Sequence, residues 1–307
     1  MICQSDNLGK NYCVKSWQYW YCENCQTLFL NPLPKEKELK ERYKNYDFTI
    51  GFSRELIVRK KARNILKTIK KHVPRAKKLL DIGCGASFLL DEAKRMGFSV
   101  TGVEPTQKLA EYAKDNFQIS IYNFAFNQQT VQKVPGKFDI IIISHLIEHI
   151  NKPLVFMKLV DQKLKRNGLL YLETPNIQSW LALMEKQNYT FLTPPDHVCL
   201  YSVRSLVRLI ERSINRYTVV RLETYSYVEH VVGILKILLG KDNSKKLNTK
   251  SIIRKNTRNR GKSTRKEKTF FKHINYILFH KIIAPVLMPF FNLNNKGSII
   301  GFYIRKK

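Results

Sequence analysis

The stretch from Leu79 to Pro105, LLDIGCGASFLLDEAKRMGFSVTGVEP, contains an apolar strand, a turn with two glycines, a helix and a second strand that ends in an acid. A strand that turns on glycines into the N-terminus of a helix lets backbone N–H groups approach a ligand closely. The stretch therefore predicts a βαβ unit with a nucleotide site at its glycine turn.

The residues around this turn argue against a dinucleotide. The fingerprint GxGxxG would place its third glycine at Phe88, where a ring would obstruct the approach of a pyrophosphate. Asp81 would repel a pyrophosphate, but it suits a ligand that carries a sulfonium and an ammonium group. Glu104, at the end of the second strand, is placed to accept hydrogen bonds from two ribose hydroxyls. We therefore predict S-adenosylmethionine as the ligand.

Strand-like and helix-like segments alternate from residue 77 to about residue 227. The apolar runs that predict strands are KKLLDI, SVTGVE, QISIYN, FDIIIIS, GLLYLET and YTVVRLETY, and SIIGFYIRK near the end predicts a last strand. Short apolar runs alternating with helices are typical of βαβ units and of a parallel sheet covered on both faces. We predict an α/β fold with a doubly wound, Rossmann-like seven-stranded sheet.

Changes in composition divide the chain into five parts. We predict a ribbon-like module (1–34), a helical connection without chemistry of its own (35–75), the ligand-binding domain (76–230), an apolar helix with a basic segment (231–273), and C-terminal helices with the last strand (274–307). The apolar stretch 274–293 includes His280, Lys281 and two prolines, which argues against a transmembrane helix.

Six motifs in order resemble those of the class I S-adenosylmethionine-dependent methyltransferases, and more narrowly a bacterial group with a zinc-ribbon-like N-terminal segment. They are YCENCQTLFLNPLP, LLDIGCGASF, VTGVEP, FDIIIISHLIEHINKP, LLYLETPN and PPDHVCLYS, between Cys3 and about Ser226.

The resemblance implies specific positions for the cofactor. It implies that Gly83 and Gly85 wrap the methionine and ribose of the cofactor, that Glu104 binds the ribose, and that Ser144 and His145 line the methyl-donor pocket. Ser87 stands where the family usually has a third glycine.

Histidines supply the candidate catalytic groups. His145, Glu148 and His149 would share one face of a helix. Some similar quinone O-methyltransferases bind a divalent metal with such a cluster, but His145 stands where a second acid would be needed, and a structural role for His149 is the alternative. His197, in PPDH, is a candidate base for a substrate hydroxyl.

The N-terminal cysteines predict a degenerate zinc ribbon. A ribbon needs two ligand pairs separated by 15 to 20 residues, and the positions that fit are Cys3, Asp6, Cys22 and Cys25. Cys13 is the alternative fourth ligand. A ribbon-shaped fold without metal remains the other interpretation.

The charge of the chain predicts an anionic partner. The 307 residues include 54 Lys and Arg against 24 Asp and Glu, and residues 241–272 carry thirteen of these cations against Asp242 and Glu267. This segment would hold the protein at an anionic membrane face, guide RNA, or be only a solvated basic loop. The start of the chain shows no signal-peptide pattern, so we predict a cytoplasmic protein, peripheral to the inner membrane face if the segment binds lipid.

The motifs narrow the acceptor without identifying it. The segment SHLIEH lacks the Asn-Pro-Pro-Tyr and Pro-Cys patterns of nucleobase methylation, which makes nucleic acid the weaker hypothesis. We predict O-methylation of a small molecule or glycan, with RNA methylation or a quinone-type O-methyltransferase as alternatives. A binding module that has lost catalysis is disfavoured by the intact glycine turn and Glu104. The sequence makes no prediction of oligomeric state.

Overall fold

The computed structural model describes residues 7–35, 38, 55–239 and 283–307. Its strands are β1 (Leu8–Val14), β2 (Trp17–Cys22), β3 (Thr27–Leu30), β4 (Lys78–Ile82), β5 (Ser99–Val103), β6 (Ile121–Tyr122), β7 (Phe138–Ser144), β8 (Leu164–Pro175), β9 (Cys199–Leu200), β10 (Tyr217–Tyr225) and β11 (Ile299–Lys306). Its α-helices are α1 (Glu55–His72), α2 (Phe88–Arg95), α3 (Gln107–Phe117), α4 (Pro153–Lys163), α5 (Trp180–Glu185), α6 (Val203–Ser213), α7 (Val228–Leu238) and α8 (Ala284–Asn292).

The seven-stranded sheet has the order β6-β5-β4-β7-β8-β11-β10. The five strands from β6 to β8 run parallel. The predicted doubly wound sheet is confirmed, and the last strand predicted from SIIGFYIRK is β11. The chain moves from β4 outward to β6 and then returns to β7, so the order reverses between β4 and β7. Ligands of open α/β sheets bind at the carboxyl ends of the strands at such a reversal.

Apolar side chains bury both faces of this sheet. On one face, Leu79, Ile140 and Leu169 pack with residues from α1, α2 and α3 in a single hydrophobic cluster. Their neighbours along the strands, such as Leu80 and Ile141, are also fully buried. Near-continuous burial of this kind explains why these strands are apolar throughout instead of alternating.

A four-stranded sheet, β1-β2-β3-β9, forms from the N-terminal residues and one later strand. Adjacent strands in it are antiparallel. Strand β9, only two residues long, is contributed from the region that follows His197. The predicted ribbon-like module therefore completes its sheet with a strand from the predicted ligand-binding domain.

The connection predicted for residues 35–75 includes α1, which buries Ala62, Ile65, Leu66 and Ile69. Their spacing of three and four residues places them on one face of the helix.

Contacts between Cα atoms divide the chain into two compact units. The first comprises residues 1–177, 191–223 and 300–307, and it contains every site residue discussed below. The second comprises residues 178–190 and 224–299, with α5, α7 and α8. The basic segment 241–272 lies outside the described residues. Among the helices that the structure does describe, none combines the length and the apolar character needed to cross a membrane.

Candidate functional site

The glycine turn lies between β4 and α2 at the carboxyl edge of the parallel strands. Gly83 and Gly85 have φ values of 76° and 52°, a region that favours glycine. The N–H groups of Gly83 and Cys84 donate to the carbonyl of Val103, at 2.8 and 3.2 Å. A Cβ on Gly85 would meet no atom within 4 Å, so this backbone is open to a ligand.

Ser87 caps α2 with a φ of 61°. Glycine adopts this left-handed conformation readily, whereas a serine adopts it only with strain.

Asp81 and Glu104 form a pair of buried carboxylates beside this turn. Glu104 accepts hydrogen bonds from the N–H of Gly85 and the N–H of Thr106, both at 3.0 Å. Burial and repulsion from Glu104 raise the pKa of Asp81 from 3.8 to about 7. The structure thus brings together the predicted cofactor residues Asp81, Gly83, Gly85 and Glu104. A cationic ligand would relieve the repulsion between the two carboxylates, so S-adenosylmethionine fits the site.

A second pair of buried carboxylates consists of Glu148, in the segment that follows β7, and Glu173, near the end of β8. Glu173 Oε1 accepts hydrogen bonds from Lys61 Nζ (2.5 Å), Ser144 Oγ (3.0 Å) and His145 Nε2 (3.0 Å). Its other oxygen accepts one from the hydroxyl of Tyr171. Burial would raise the pKa of the Glu173 carboxyl, but Lys61 and His145 hold it well below its usual range.

His145 lies between these two carboxylates. Its Nδ1 donates to Glu148 Oε1 at 3.3 Å, and its Nε2 donates to Glu173. Burial alone would lower the pKa of His145, but the hydrogen bonds with Glu148 and Glu173 raise it to about 10. His145 is therefore a bound imidazolium at neutral pH, and both of its nitrogens are occupied.

The helix expected to align His145, Glu148 and His149 is only a short 3₁₀ segment, Ile147–His149. His145 precedes it with a φ of 52°, outside the helical region. As a result His145 and Glu148 meet, while His149 turns towards the loop that holds His197. The prediction that His145, Glu148 and His149 share one face of a helix is therefore wrong.

His149 and His197 lie side by side, with ring centroids 4.8 Å apart. His197 Nδ1 is 2.7 Å from the carbonyl oxygen of Phe191, and His149 Nδ1 is 2.9 Å from that of Asp196. A carbonyl oxygen only accepts, so each Nδ1 carries the proton and each Nε2 has a lone pair in the neutral ring. Burial and the neighbouring His149 lower the pKa of His197 to about 4, which keeps the ring neutral at physiological pH.

The same groups form a candidate metal cluster. In the described part of the chain, Glu148, His149 and His197 are the one group of three whose ligand atoms lie within 4.8 Å of one another. Imidazoles that donate Nδ1–H to a carbonyl are suited to metal ligation. Glu148, however, already bonds His145, and its other oxygen accepts from Thr174 at 2.9 Å. A cation here would be repelled by the His145 imidazolium bound to the same carboxylate, so the set suits proton transfer better than metal binding.

The zinc ligands predicted in the ribbon are only partly described. Cys22 ends β2 and Cys25 lies in the turn before β3, and both are buried, whereas Cys3 and Asp6 lie outside the described residues. Cys13 pairs with Gln18 across the hairpin, four residues along β2 from Cys22, and it is exposed. That separation, about 13 Å, excludes Cys13 as a ligand that shares a zinc with Cys22, because zinc–sulfur bonds are about 2.3 Å.

Two residues of the site were missed in the sequence. Glu173 is a lone acid in the apolar run GLLYLETP, and an acid at the carboxyl end of a buried strand was a usable signal. Lys61 had no such signal, because it is one of many lysines in a helix predicted to be only a connection.

Comparison with known proteins yields one family. The model of a family described as a methyltransferase domain matches residues 53–213. A solved S-adenosylmethionine-dependent methyltransferase from Archaeoglobus fulgidus superimposes with a TM-score of 0.50 and 18% identity, over 85% of this chain and all of that chain. At this identity the likeness supports the fold alone.

Curated relatives match over part of their length. The ubiquinone biosynthesis O-methyltransferase of Bradyrhizobium diazoefficiens is 32% identical over 133 residues, 43% of this chain and 51% of that protein. The protein of the same name from Pelagibacter ubique is 34% identical over 101 residues, 32% of this chain and 42% of that protein. The chain therefore spans about half, or less, of these relatives.

Proposed function

Because the chain belongs to the family of S-adenosylmethionine-dependent methyltransferases, we propose that its acceptor is a hydroxyl group of a small molecule and that His197 removes the proton from this hydroxyl. The observation that carries the proposal is the contact of His197 Nδ1 with the carbonyl oxygen of Phe191 at 2.7 Å, which leaves Nε2 able to accept a proton.

The first carboxylate pair and the glycine turn hold the cofactor in this proposal. When bound, S-adenosylmethionine supplies an electrophilic methyl group on a sulfonium. Asp81 balances the positive charge of the ligand, and Glu104 accepts hydrogen bonds from the ribose hydroxyls. Gly83 and Gly85 allow the backbone of the turn to lie close to the cofactor. Ser144 is the last residue of β7, and β7 neighbours β4, the strand that leads into the glycine turn. Glu173 orients the hydroxyl of Ser144 by accepting a hydrogen bond from it.

The loop around His197 is held from two sides. The hydroxyl of the fully buried Tyr19 donates to the carbonyl of His197 at 2.6 Å, and the N–H of Val198 donates to the carbonyl of Glu148 at 2.8 Å. A base must be fixed within hydrogen-bond reach of the proton that it removes. The N-terminal sheet therefore serves catalysis by positioning this loop. Burial, with His149 as a second cause, keeps His197 neutral, and His145 acts as a positioning residue.

The weak basicity of His197 favours a phenolic acceptor. Burial lowers the pKa of His197 and makes it a weaker base, and a phenol gives up its proton more readily than a sugar hydroxyl does. The names of the relatives, ubiquinone biosynthesis O-methyltransferases, agree with an aromatic acceptor. Nothing in the described residues or in these names supports the glycan expectation.

A radiolabelled methyl-transfer assay tests the acceptor class. Dihydroxybenzoates are offered beside simple sugars, and we expect label in the phenols alone. His197→Gln should lower kcat by roughly 10²- to 10⁴-fold while the Kd of S-adenosylmethionine stays unchanged. The matched control is His72→Gln, at the end of α1, which should retain activity. Sugar methylation, or full activity of His197→Gln, would contradict the proposal.

We also propose that the N-terminal ribbon-like module binds zinc. Cys22 and Cys25 would share a structural zinc with Cys3 and Asp6. Metal analysis of protein expressed with added zinc is expected to give about one zinc per chain, as tight structural sites retain the metal. A Cys22→Ser/Cys25→Ser variant should lose it, and a metal-free wild-type protein would leave only the metal-free ribbon.

A further inference from the structure

Helix α8 has two apolar faces. Ala284, Leu287, Met288 and Phe291 pack against Val228, Val231, Val232 and Leu235 of α7 in a small core. The opposite face consists of Pro285, Val286, Pro289, Phe290 and, just beyond the helix, Leu293, which we name the α8 outer face. The helix, APVLMPFFN, contains no charged residue.

The α8 outer face is strongly exposed. Val286 and Phe290 are 65% and 66% exposed, and Leu293 is 57% exposed. Val286, Phe290 and Leu293 follow one another at spacings of four and three residues, which places them on one stripe. Other large apolar side chains of the same compact unit are exposed as well, namely Trp180, Leu183, Leu238 and Leu239. A stripe of exposed apolar side chains such as Val286, Phe290 and Leu293 is typical of an interaction site.

The charge of the neighbouring chain indicates which partner the face fits. The described chain ends at Leu239, directly after α7, and resumes at Ile283, directly before α8. The sequence between these points includes the thirteen Lys and Arg of residues 241–272 against two acids. Cations tethered beside an apolar face are the combination that binds an anionic lipid surface, because each contributes attraction to the headgroups while apolar side chains enter the acyl boundary.

We propose that the α8 outer face docks on an anionic lipid bilayer, with Val286 and Phe290 inserted into the headgroup boundary. The proposed docking is peripheral, since His280, Lys281, Pro285 and Pro289 interrupt the apolar stretch of sequence that includes α8. The proposal does not depend on the acceptor or on the catalytic role of His197.

Vesicle sedimentation of the full-length protein tests the face. The vesicles are phosphatidylcholine with roughly 30% phosphatidylglycerol, and phosphatidylcholine alone. We expect binding to the anionic vesicles only. Val286→Ser/Phe290→Ser should weaken this binding at least about tenfold, because two apolar side chains leave the lipid. The matched control is Leu56→Ser/Val219→Ser, which removes exposed apolar side chains from the other unit and should bind as the wild type does.

Each other outcome overturns the proposal. If the wild type does not sediment with the vesicles, a lipid partner is excluded. If Val286→Ser/Phe290→Ser sediments as the wild type does, charge alone causes the binding to the vesicles. Size-exclusion chromatography and thermal unfolding of the same variants identify the alternatives. A dimer that dissociates only in the α8 variant would show that a second copy covers the face. A lower unfolding temperature, with unchanged vesicle binding, would show that residues 240–282 of the same chain cover it.

Discussion

Two pairs of buried carboxylates at the carboxyl edge of one sheet differ in how their charge is balanced. Glu148 and Glu173 are paired with His145 and Lys61, and their pKa values are lowered, that of Glu148 to about 2. Asp81 and Glu104 repel each other, and the pKa of Asp81 is raised to about 7. The balanced pair is part of the scaffold. The unbalanced pair retains negative charge for a cationic ligand, and this difference distinguishes a binding site from a structural network.

Removing a carboxylate from the balanced pair should have the largest effect. Glu173→Gln leaves Lys61 without its buried counter-charge and His145 with Glu148 alone, and we expect the free energy of unfolding to fall by about 3 to 5 kcal/mol. Urea denaturation measures this loss. The control Glu111→Gln, on the exposed face of α3, should change it by less than about 0.5 kcal/mol. An equally small effect of Glu173→Gln would remove the contrast between the two pairs.

Removing a carboxylate from the unbalanced pair should affect binding instead of folding. Glu104→Gln replaces a charged acceptor of the ribose hydroxyls, so S-adenosylmethionine should bind more weakly by about 1.5 to 3 kcal/mol, or roughly 10- to 150-fold. The free energy of unfolding of the ligand-free protein should change little, because relief of the repulsion with Asp81 offsets the loss of one of the two hydrogen bonds from the N–H groups of Gly85 and Thr106. Titration calorimetry and urea denaturation separate these effects. Unchanged affinity would refute the ribose assignment.

Cofactor affinity should depend on the ionisation of Asp81. Its pKa is about 7 in the ligand-free fold and 3.8 ordinarily, so its contribution to folding is complete below about pH 4 and is lost as the pH rises through 7. Ligand binding has the opposite dependence, because a cation binds the ionised form. Affinity should fall below pH 7 by up to about tenfold per pH unit. The groups that face Asp81 are Glu104 and the thiol of Cys84.

Calorimetry between pH 5.5 and 8 measures this dependence. Asp81→Asn serves as the reference, since any titration of the ligand itself remains in that variant. If the wild type and Asp81→Asn show the same pH dependence, Asp81 is not the group that the ligand requires to be ionised.

The smallest effect is expected at the turn beside the unbalanced pair. Ser87→Gly removes the strain of a left-handed serine but adds freedom to the unfolded chain, so we expect a gain of up to about 1 kcal/mol in the free energy of unfolding. Thermal unfolding would show it as a rise in Tm. A loss of stability would mean that the Ser87 hydroxyl contributes more to the folded state than the strain costs.

The sequence was sufficient to predict the unbalanced pair, Asp81 and Glu104, but not the contacts of the balanced pair, Glu148 and Glu173. Asp81, Gly83, Gly85 and Glu104 lie within one βαβ unit, whose geometry is set by local strand and turn preferences. His145 depends on Glu173 and Lys61, which approach it only after β7, β8 and α1 have packed. Sequence spacing predicted a helix for His145, whereas its φ is 52° and the carboxylates of Glu148 and Glu173 stabilise its charge. The pairing of His149 with His197 likewise arises from a loop 47 residues away.

The pairing of β3 with β9 constrains how the protein is made. Phe29 pairs with Cys199, so the N-terminal sheet cannot be completed until 170 more residues have been synthesised. At about 5 to 20 residues per second this takes roughly 10 to 30 s on the ribosome. During that time the outer edge of β3 is open to wrong partners, and such edges promote aggregation. The first strands of a nascent chain are therefore exposed to wrong pairing throughout this interval, and an N-terminal segment grafted without residues 199–200 would lack the partner of β3.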